Sequence, residues 1–521
     1  MSNEDLSKVE DNTPILIGSG QITDMTSTPT SARSPTAFMA EAARLALDDA
    51  RAAKGAAALA AALDAIVILP LFTDYSPRFS SPFGRSDNPP RSVANRIGAG
   101  NVRDLYYAHV GGNMPQYMIN KFAEQITKGE IRAALVAGAE LMRTNAIGRR
   151  EKMTLDWNES PGGEPMRIGD DRLGYSPEEE RHGLNAAIYF YPMIENAIRG
   201  AAGRSLPDHM LSMGRLFAGF ARVAKDNPLA TRREGYSAEQ IATVDAENRY
   251  IAFPYPRLMN SNALVDQAAA VVMTSVGQAK ALGIPRDRWV FLHGCADGTD
   301  TWVTSERTAL HRSAAIHGCA TRSLDMAGRT INQIDLFDLY SCFPSAVEIG
   351  CREIGLAEDD PRGLTVTGGL PFFGGPGNNY VTHSIAEMTS RLRAKPGAFG
   401  MVTANGNYVT KHSAGIYSTT PTEGTWMRED PKKFQAELDA LPRQRVETAP
   451  RGAAKIETYT VTFNGKTPQL GVIFGRLENG NRFVANIPSD PGLLQEMISK
   501  DQLGRPGTVA DDGTRNIFTP A

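Results

Sequence analysis

The chain repeats one local pattern about 263 residues apart, and this repeat restricts its possible folds more than any other feature. Gly111-Gly112 opens a helix-like segment, which leads to an apolar strand that ends near Gly138. Gly374-Gly375 opens a second such segment, whose strand ends at Gly406. A repeat of this length indicates duplication of a whole domain, because solenoid repeats span only about 20 to 50 residues. The alternation of apolar strands with helices favours an α/β fold with buried parallel strands.

Size and composition define the class of protein. A chain of 521 residues is too long for one hydrophobic core, so two to four structural units are expected. Hydrophobic residues make up 41% and charged residues 22%, as in an ordinary globular protein that folds in water. The formal net charge of -3 provides no basic field for phosphate backbones, so nucleic acid is not expected as a partner.

No membrane span and no secretory signal are predicted. The most apolar stretch, residues 56–72, is interrupted by Asp64 and Pro70 and is shorter than the roughly 20 apolar residues of a spanning helix. The N-terminus reads MSNEDLSKVEDN, which is acidic and has no apolar core, so a cytoplasmic location is expected. The four cysteines form no C-x-x-C pair and predict neither disulfides nor a metal site.

Composition divides the chain into three predicted parts. Residues 13–255 form the first repeat unit, in which the charged and aromatic stretch at about 143–255 predicts an inserted helical loop domain. Residues 256–425 form the second unit. Residues 430–521 contain alternating apolar and polar residues with Asn-Gly turns, which predict a small β domain. Because a Pro- and charge-rich stretch precedes this domain, we expect proteolysis there to leave two folded fragments.

The common catalytic motifs are absent from the sequence. Gly18-Ser19-Gly20 follows a strand, but Thr23 stands where the dinucleotide fingerprint needs its third glycine. The sequence also contains no phosphate-binding P-loop, no H-E-x-x-H zinc motif and no G-x-S-x-G nucleophile elbow. The glycine-opened helices therefore remain as the candidate sites.

Four strings of the sequence carry a family resemblance: KGEIRAALVAGAELMRT, IDLFDLYSCFPSAVE, GGLPFFGGPGNNYVTH and MVTANGNYVTKHSAG. They resemble the thiolase superfamily, most closely its sterol-carrier-protein thiolase branch, over roughly residues 13 to 420. The β-rich end resembles the additional C-terminal domain of the thiolase-like protein type 1 family. The resemblance implies a duplicated thiolase fold of two βαβαβαββ halves in five layers, with an inserted helical loop domain and a small C-terminal β domain.

The resemblance also implies where the four catalytic motifs of thiolases fall, and each reactive residue is replaced. The nucleophilic cysteine falls on Gly112, and the motif histidine falls on Gly375. The acid/base cysteine falls on Ala404, which Asn405 and Gly406 follow. The fourth motif, His-Asp-Cys-Phe in the sterol-carrier branch, keeps only its last two residues and reads Tyr340, Ser341, Cys342 and Phe343.

Backbone groups of such a site do not depend on these side chains. The N–H of Gly112 at a helix start and that of Gly406 would form an oxyanion hole of the thiolase kind. Glycine at positions 112 and 375 predicts a widened cavity, where water or the thiol of CoA could attack directly. This arrangement suits carbon–carbon cleavage of a β-keto substrate without a covalent enzyme intermediate.

Other side chains could replace the missing ones. His412, next to Lys411, is the first choice as acid/base, because imidazole works near neutral pH. Cys342 could face the cavity or be a buried core thiol. His109 could reach the cavity rim or cap a strand, and His383 is expected to be mainly structural. The candidate catalytic set is His412, Cys342, Gly112, Gly406, Asn405 and Tyr340.

Basic residues of the loop domain are candidates for holding the phosphates of CoA. They are Arg149, Arg150, Lys152 and Arg181, and the alternative is a solvated charged face. The aromatic run at residues 189–191 is more typical of a core than of an acyl pocket.

The expected function is that of an acyl-CoA acyltransferase-like protein. It would act on CoA thioesters or β-keto acyl substrates by a Claisen or retro-Claisen reaction without the usual cysteine, with CoA as substrate or product and no permanently bound cofactor. The alternatives are a non-catalytic acyl-CoA or lipid-binding homologue, and a subunit that needs a partner. The resemblance also implies a possible homodimer, because thiolases commonly dimerise.

Overall fold

The computed structural model describes residues 9–28, 31, 33–75 and 80–521. The strands of the described residues are β1 (Pro14–Thr23), β2 (Ala65–Ile68), β3 (Asp104–Ala108), β4 (Ala133–Leu141), β5 (Met166–Ile168), β6 (Tyr250–Ala252), β7 (Tyr255–Pro256), β8 (Asp266–Ser275), β9 (Val290–Thr299), β10 (Leu336–Asp338), β11 (Phe399–Gly406), β12 (Lys411–Ser418), β13 (Gly452–Asn464), β14 (Thr467–Leu477), β15 (Arg482–Asn486), β16 (Pro506–Asp511) and β17 (Asn516–Pro520). The α-helices are α1 (Pro35–Asp49), α2 (Ala56–Ala61), α3 (Phe72–Tyr75), α4 (Pro89–Ile97), α5 (Met114–Thr127), α6 (Met142–Arg150), α7 (Pro177–Arg181), α8 (Ala187–Ala202), α9 (Leu206–Asp226), α10 (Ala238–Ala242), α11 (Val276–Leu282), α12 (Ala314–Met326), α13 (Pro344–Ile354), α14 (Gly369–Phe372), α15 (Tyr380–Ala394), α16 (Pro431–Asp439) and α17 (Pro491–Ser499).

The two repeat units contribute matching parts of one ten-stranded sheet. One half of the sheet has the order β2-β4-β8-β1 and the other has the order β10-β11-β12-β9. β8 pairs with β1 and β4 and so lies in the first half, although its residues fall within the predicted second unit at 256–425. In each unit the first pair is parallel and the next two pairs are antiparallel. The units join where β1 pairs with β9. The identical order and directions confirm the predicted duplication of an α/β domain.

The strand directions correct one expectation, because the sheet is mixed and not purely parallel. β12 follows β11 after a turn at residues 407–410 and therefore returns antiparallel to it. β8 lies at the same place in the first unit, but the chain between β4 and β8 contains the inserted segment. The apolar pattern of these strands shows burial on both faces, which does not distinguish the two directions.

Two helices pack between the halves of the sheet and complete the five layers. α5 and α15 contact each other, and both contact strands of both units, including β8 and β11. Both helices bury residues on several faces, as a helix between two sheets must. α1 covers β1 and β8 on one outer side, and α12 covers β9 and β12 on the other.

The C-terminal strands form a small closed barrel. β13 pairs with both β14 and β16, which closes the order β13-β14-β15-β17-β16. The inserted segment adds β6 to this sheet, where Ala252 pairs with Thr462. The predicted β domain is therefore present, and strands from the loop segment extend it.

Polar contacts anchor the barrel to the rest of the chain. The guanidinium of Arg482 is fully buried, forms an ion pair with Glu457 at 2.7 Å and donates to the carbonyls of Ser305 and Arg307. Asn196 of α8 donates to the carbonyl of Tyr459 at 2.9 Å. A protease cut before the barrel should therefore leave the two parts associated.

No helix of the described residues combines the length and the hydropathy that a membrane-spanning helix needs.

We expect Arg482→Ala to lower the free energy of unfolding by about 3 kcal/mol or more, because it removes the buried cation of the Glu457 ion pair and leaves the carbonyls of Ser305 and Arg307 without their donor. Arg476 also pairs with Glu457, but its side chain is 30% exposed, so Arg476→Ala is the matched control and should cost less than about 1 kcal/mol. Urea denaturation measures both values. Equal losses in the two variants would contradict the anchoring role of Arg482.

Candidate functional site

The start of α5 and the end of β11 meet through their backbones. A Cβ built on Gly112 would lie 2.5 Å from the carbonyl oxygen of Asn405. A Cβ built on Gly406 would lie 3.1 Å from the Cα of Gly111 and 2.5 Å from Oδ1 of Asn113. These glycines therefore permit a close approach of two chain segments, which side chains would prevent.

The predicted widening of the cavity is wrong, because neighbouring side chains occupy the space. The hydroxyl of Tyr340 lies 2.4 Å from the Cβ position of Gly112. At Gly375 the corresponding space is taken by Oγ of Ser261, 2.0 Å from the Cβ position. The cavity lined by Tyr340, Ala404 and His412 has a volume of only about 20 Å³, which is room for about one water molecule.

Tyr340 is a neutral hydrogen-bonding group in this site. Its N–H donates to Oγ1 of Thr403 at 3.0 Å, and its ring meets that of Tyr380 edge-on at 5.8 Å between centroids. Burial, with a smaller effect of the Cys342 thiol, raises the pKa of Tyr340 well above its usual value of 10. The phenol therefore keeps its proton at neutral pH and can donate it in a hydrogen bond.

Cys342 lies beside Tyr340 but is not activated. Its thiol is buried, and burial raises the pKa of Cys342 to about 12. A nucleophilic cysteine needs the opposite shift, because the thiolate is the reactive form.

His412 faces the small cavity in a form that limits its use as a base. It is 3% exposed, and burial lowers its pKa to about 3. Its Nε2 lies 3.7 Å from Oδ2 of Asp300 and has no hydrogen-bond partner among the described residues. An imidazole with this pKa is neutral at pH 7 and accepts a proton poorly. His412 is therefore no longer the first candidate for the acid/base.

Lys411, the neighbour of His412 in sequence, is a stronger candidate for the base. Its ammonium donates to the carbonyl of Val110, and Nζ lies 3.0 Å from the Cβ position of Gly111. Burial lowers the pKa of Lys411 to about 8. A sequence-level signal existed, because lysine is rare inside a protein and Lys411 begins an apolar strand.

Tyr191 is a second residue whose position sequence reasoning did not predict. It is fully buried on α8, where its hydroxyl accepts from Nδ2 of Asn405 at 2.9 Å and donates to the carbonyl of Asn407 at 3.1 Å. Its ring stacks on Phe343 at 4.4 Å. The inserted segment thus holds the turn between β11 and β12 in place.

One backbone N–H of the glycine turn is available to a ligand. The N–H of Gly111 donates to Oδ1 of Asn378 at 2.9 Å, whereas that of Gly112 has no acceptor among the described residues. An unpaired N–H just before a helix is suited to an oxyanion.

The remaining two candidate histidines, His383 and His109, each contact a neighbouring strand. Nδ1 of His383 lies 2.9 Å from Oε1 of Gln21, and burial lowers the pKa of His383 to about 3. The N–H of His109 donates to the carbonyl of Ile168 at 2.7 Å, which links β3 to β5.

The basic residues predicted to hold CoA lie in two places. Arg149, Arg150 and Lys152 lie exposed at and beyond the end of α6, and Arg149 donates to the carbonyl of Ser80. Arg181 pairs with Glu178 at 2.9 Å and donates to the carbonyl of Thr448 at 3.2 Å. Arg181 therefore faces the start of the barrel, and the shared binding of CoA by the four residues stays a prediction.

The fold and this site place the chain among proteins of the thiolase fold, and comparisons with known proteins make the class specific. The family model of the thiolase-like protein type 1 additional C-terminal domain matches residues 433–514. The crystal structure of a monomeric SCP2-thiolase like protein type 1 from Mycobacterium smegmatis is 35% identical over 98% of this chain and 100% of that chain, with a TM-score of 0.83. The chain belongs to the SCP2-thiolase-like protein type 1 family.

More distant solved structures share the fold alone. The Ltp2-ChsH2(DUF35) aldolase is 18% identical, with 78% of this chain and 98% of that chain covered and a TM-score of 0.57. Acetyl-CoA acetyltransferase from Syntrophomonas wolfei is 17% identical, with 79% and 100% covered and a TM-score of 0.55. No curated protein sequence matches the chain.

We expect Gly112→Ala to lower the free energy of unfolding by about 1 to 3 kcal/mol, because the new methyl meets the Tyr340 hydroxyl and a backbone carbonyl. Gly100→Ala is the control, since a Cβ there meets no atom within 4 Å and the change should stay within about 0.5 kcal/mol. Thermal and urea unfolding measure both. Equal stability of the two variants would mean that the glycine turn has more room than the structure gives it.

Proposed function

We propose that the chain acts on CoA thioesters or β-keto acyl substrates by a Claisen or retro-Claisen reaction that uses no cysteine nucleophile. The observation that carries this proposal is the contact of Tyr340 and Lys411 with the Gly111-Gly112 turn, where the resemblance places the thiolase nucleophile. The high pKa of Cys342 supports the same conclusion, because no activated thiolate replaces the missing one.

Each group has a role in the retro-Claisen direction. Lys411, with its pKa lowered by burial, takes the proton of an attacking thiol or water. The nucleophile bonds to the β-keto carbon, and the bond between the α and β carbons breaks. The electron pair of the broken bond forms a thioester enolate. The enolate oxygen accepts hydrogen bonds from the N–H of Gly112 and the hydroxyl of Tyr340. The Lys411 ammonium returns the proton to the α carbon, which balances the reaction.

Substrate entry requires movement of the segment that covers Lys411. The indole of Trp302 donates to the carbonyl of Leu173, and Arg172 stacks on its ring at 4.0 Å. Nζ of Lys411 lies 5.8 Å from the centre of the same ring. Displacement of residues 170–174 with Trp302 would open the site from this side.

A second candidate function is non-catalytic binding of an acyl thioester. The pKa values of Cys342, raised to about 12, and of His412, lowered to about 3, favour it, because neither side chain supplies a nucleophile or a base at neutral pH. We also propose that the chain acts as a monomer instead of the homodimer that the resemblance implies, since the similar M. smegmatis protein is described as monomeric. Dependence on a partner subunit remains the third possibility, and CoA would be substrate or product in each catalytic case.

We expect Tyr340→Phe and Lys411→Met each to lower turnover of a β-keto acyl-CoA, in the presence of CoA, by on the order of 10² or more. Cys342→Ser should keep most of the activity, because the thiol is protonated and takes no part. Thermal melting of each variant separates loss of chemistry from loss of fold. Turnover absent from the wild type, with acyl-CoA binding retained, would establish the non-catalytic alternative.

The rate should depend on the ionisation of Lys411. Because Lys411 must lose its proton to act as a base, kcat/KM should rise with pH up to about 8 and then level off. A pH profile measured on the wild type tests this dependence. A profile that is flat through that range, or one that rises only near the usual lysine pKa of about 10.4, would remove Lys411 from the role of base.

A further inference from the structure

A large cavity lies away from the glycine turn. It has a volume of about 940 Å³ between α9, α13 and residues 356–364, and it shares no lining residue with the small cavity. Its lining includes Arg204, Arg215, Phe220, Glu348 and Arg352. The function proposed above makes no use of it.

Three ionisable side chains meet beside this cavity, and one of them, Glu348, lines it. Glu195 of α8, His209 of α9 and Glu348 of α13 each place one ligand atom within 4.8 Å of the others. All three are buried, with exposures of 0%, 0% and 4%. Nε2 of His209 lies 2.6 Å from Oε1 of Glu195.

This cluster contains polar atoms without partners. Both carboxylate oxygens of Glu348 and Nδ1 of His209 have no hydrogen-bond partner among the described residues. The nearby cation, Arg204, has its Nη1 3.9 Å from Oε1 of Glu348, beyond hydrogen-bond range. Buried polar groups are normally hydrogen-bonded, so two such groups side by side point to a ligand.

The charge states of the cluster agree with a cation site. Burial and the adjacent Glu195 carboxylate raise the pKa of Glu348 well above its usual value. Burial lowers the pKa of His209, so its imidazole is neutral, the form that binds metals. A cation would replace the proton that Glu348 holds and supply the partner that its oxygens lack.

We propose that Glu195, His209 and Glu348 bind one divalent transition-metal ion, for which Zn²⁺ is the best match. One imidazole nitrogen with two carboxylates suits zinc, whereas Mg²⁺ and Ca²⁺ prefer oxygen ligands alone. Three protein ligands also leave a coordination position open, as in catalytic zinc sites. Glu348 lines the large cavity, which provides the entry path and the space for a further ligand.

The geometry requires only small adjustment. Ligand atoms about 2.0 to 2.2 Å from zinc lie roughly 3.3 Å apart in a tetrahedral site. The contact of 2.6 Å between His209 and Glu195 must lengthen by on the order of 1 Å when the ion replaces the proton between these two groups. The Glu348 carboxylate must approach them by a similar distance. The hydroxyl of Tyr255 donates to Oε2 of Glu195 at 2.6 Å and contacts Oγ of Ser345 at 2.7 Å, which fixes the carboxylate as second ligands of metal sites do.

The test measures metal binding by the full chain after dialysis against a chelator. Titration with ZnCl₂ by calorimetry should give one site per chain, confirmed by metal analysis of the re-purified protein. Glu348→Gln should weaken the Zn²⁺ affinity by about 100-fold or more. It should fold normally without metal, because glutamine has the same shape as the protonated side chain. Asp359→Asn, at an exposed position in the same cavity, is the matched control and should bind Zn²⁺ as the wild type does.

A second variant and a second metal ion test whether binding depends on this ligand set. His209→Gln should also abolish the site, and MgCl₂ should not compete with Zn²⁺. The proposal is overturned if the dialysed wild type binds no Zn²⁺, Mn²⁺ or Fe²⁺, or if Glu348→Gln binds Zn²⁺ as tightly as the wild type. A Glu348→Gln protein that is more stable than a metal-free, non-binding wild type would identify the cluster as two carboxyl groups sharing a proton.

Discussion

The contact between two glycine-containing backbone segments determines the architecture of the candidate site. Gly111-Gly112 precedes α5, which packs between the two halves of the sheet, and Asn405-Gly406 ends a strand of the second half. Their approach to within 3.1 Å, measured from the Cβ position on Gly406, fixes how deeply α5 lies against β11. The site is therefore formed at the junction of the halves, and its small volume follows from the same approach.

Side chains around this junction fill the space that the two glycines leave. A side chain at position 112 would collide with the Tyr340 hydroxyl and with the carbonyl of Asn405. Lys411 in turn occupies the space beside Gly111. The two glycines, the tyrosine and the lysine therefore form one packing arrangement, in which the absence of side chains at 111 and 112 and the inward placement of Tyr340 and Lys411 depend on each other.

The sequence predicts features that depend on residues close together in the chain, and it does not predict features that depend on contacts between distant residues. The duplicated strand order and the hairpin barrel are predictable, because apolar runs, paired glycines and the Asn-Gly turns are local signals. The filled space at Gly112 is not, because Tyr340 is more than 200 residues away in sequence. The low pKa of His412 and of Lys411 also arises from burial by distant elements. Residue type therefore identified His412, whereas only packing identified Lys411 and Tyr191.

The helix α8 connects three regions that are far apart in sequence: the turn after β11, the buried cluster that contains Glu195, and the C-terminal barrel. Tyr191, Glu195 and Arg199 recur every four residues along α8 and so lie along one side of it. Tyr191 holds the turn after β11, Glu195 belongs to the buried acidic and histidine cluster, and Arg199 pairs with Asp501 of the barrel at 2.7 Å. Because the barrel fixes the axial position of α8 through Arg199 and Asn196, it also fixes where Tyr191 and Glu195 lie. The added C-terminal domain thus acts on both sites through one rigid element, although none of its own side chains lines either cavity.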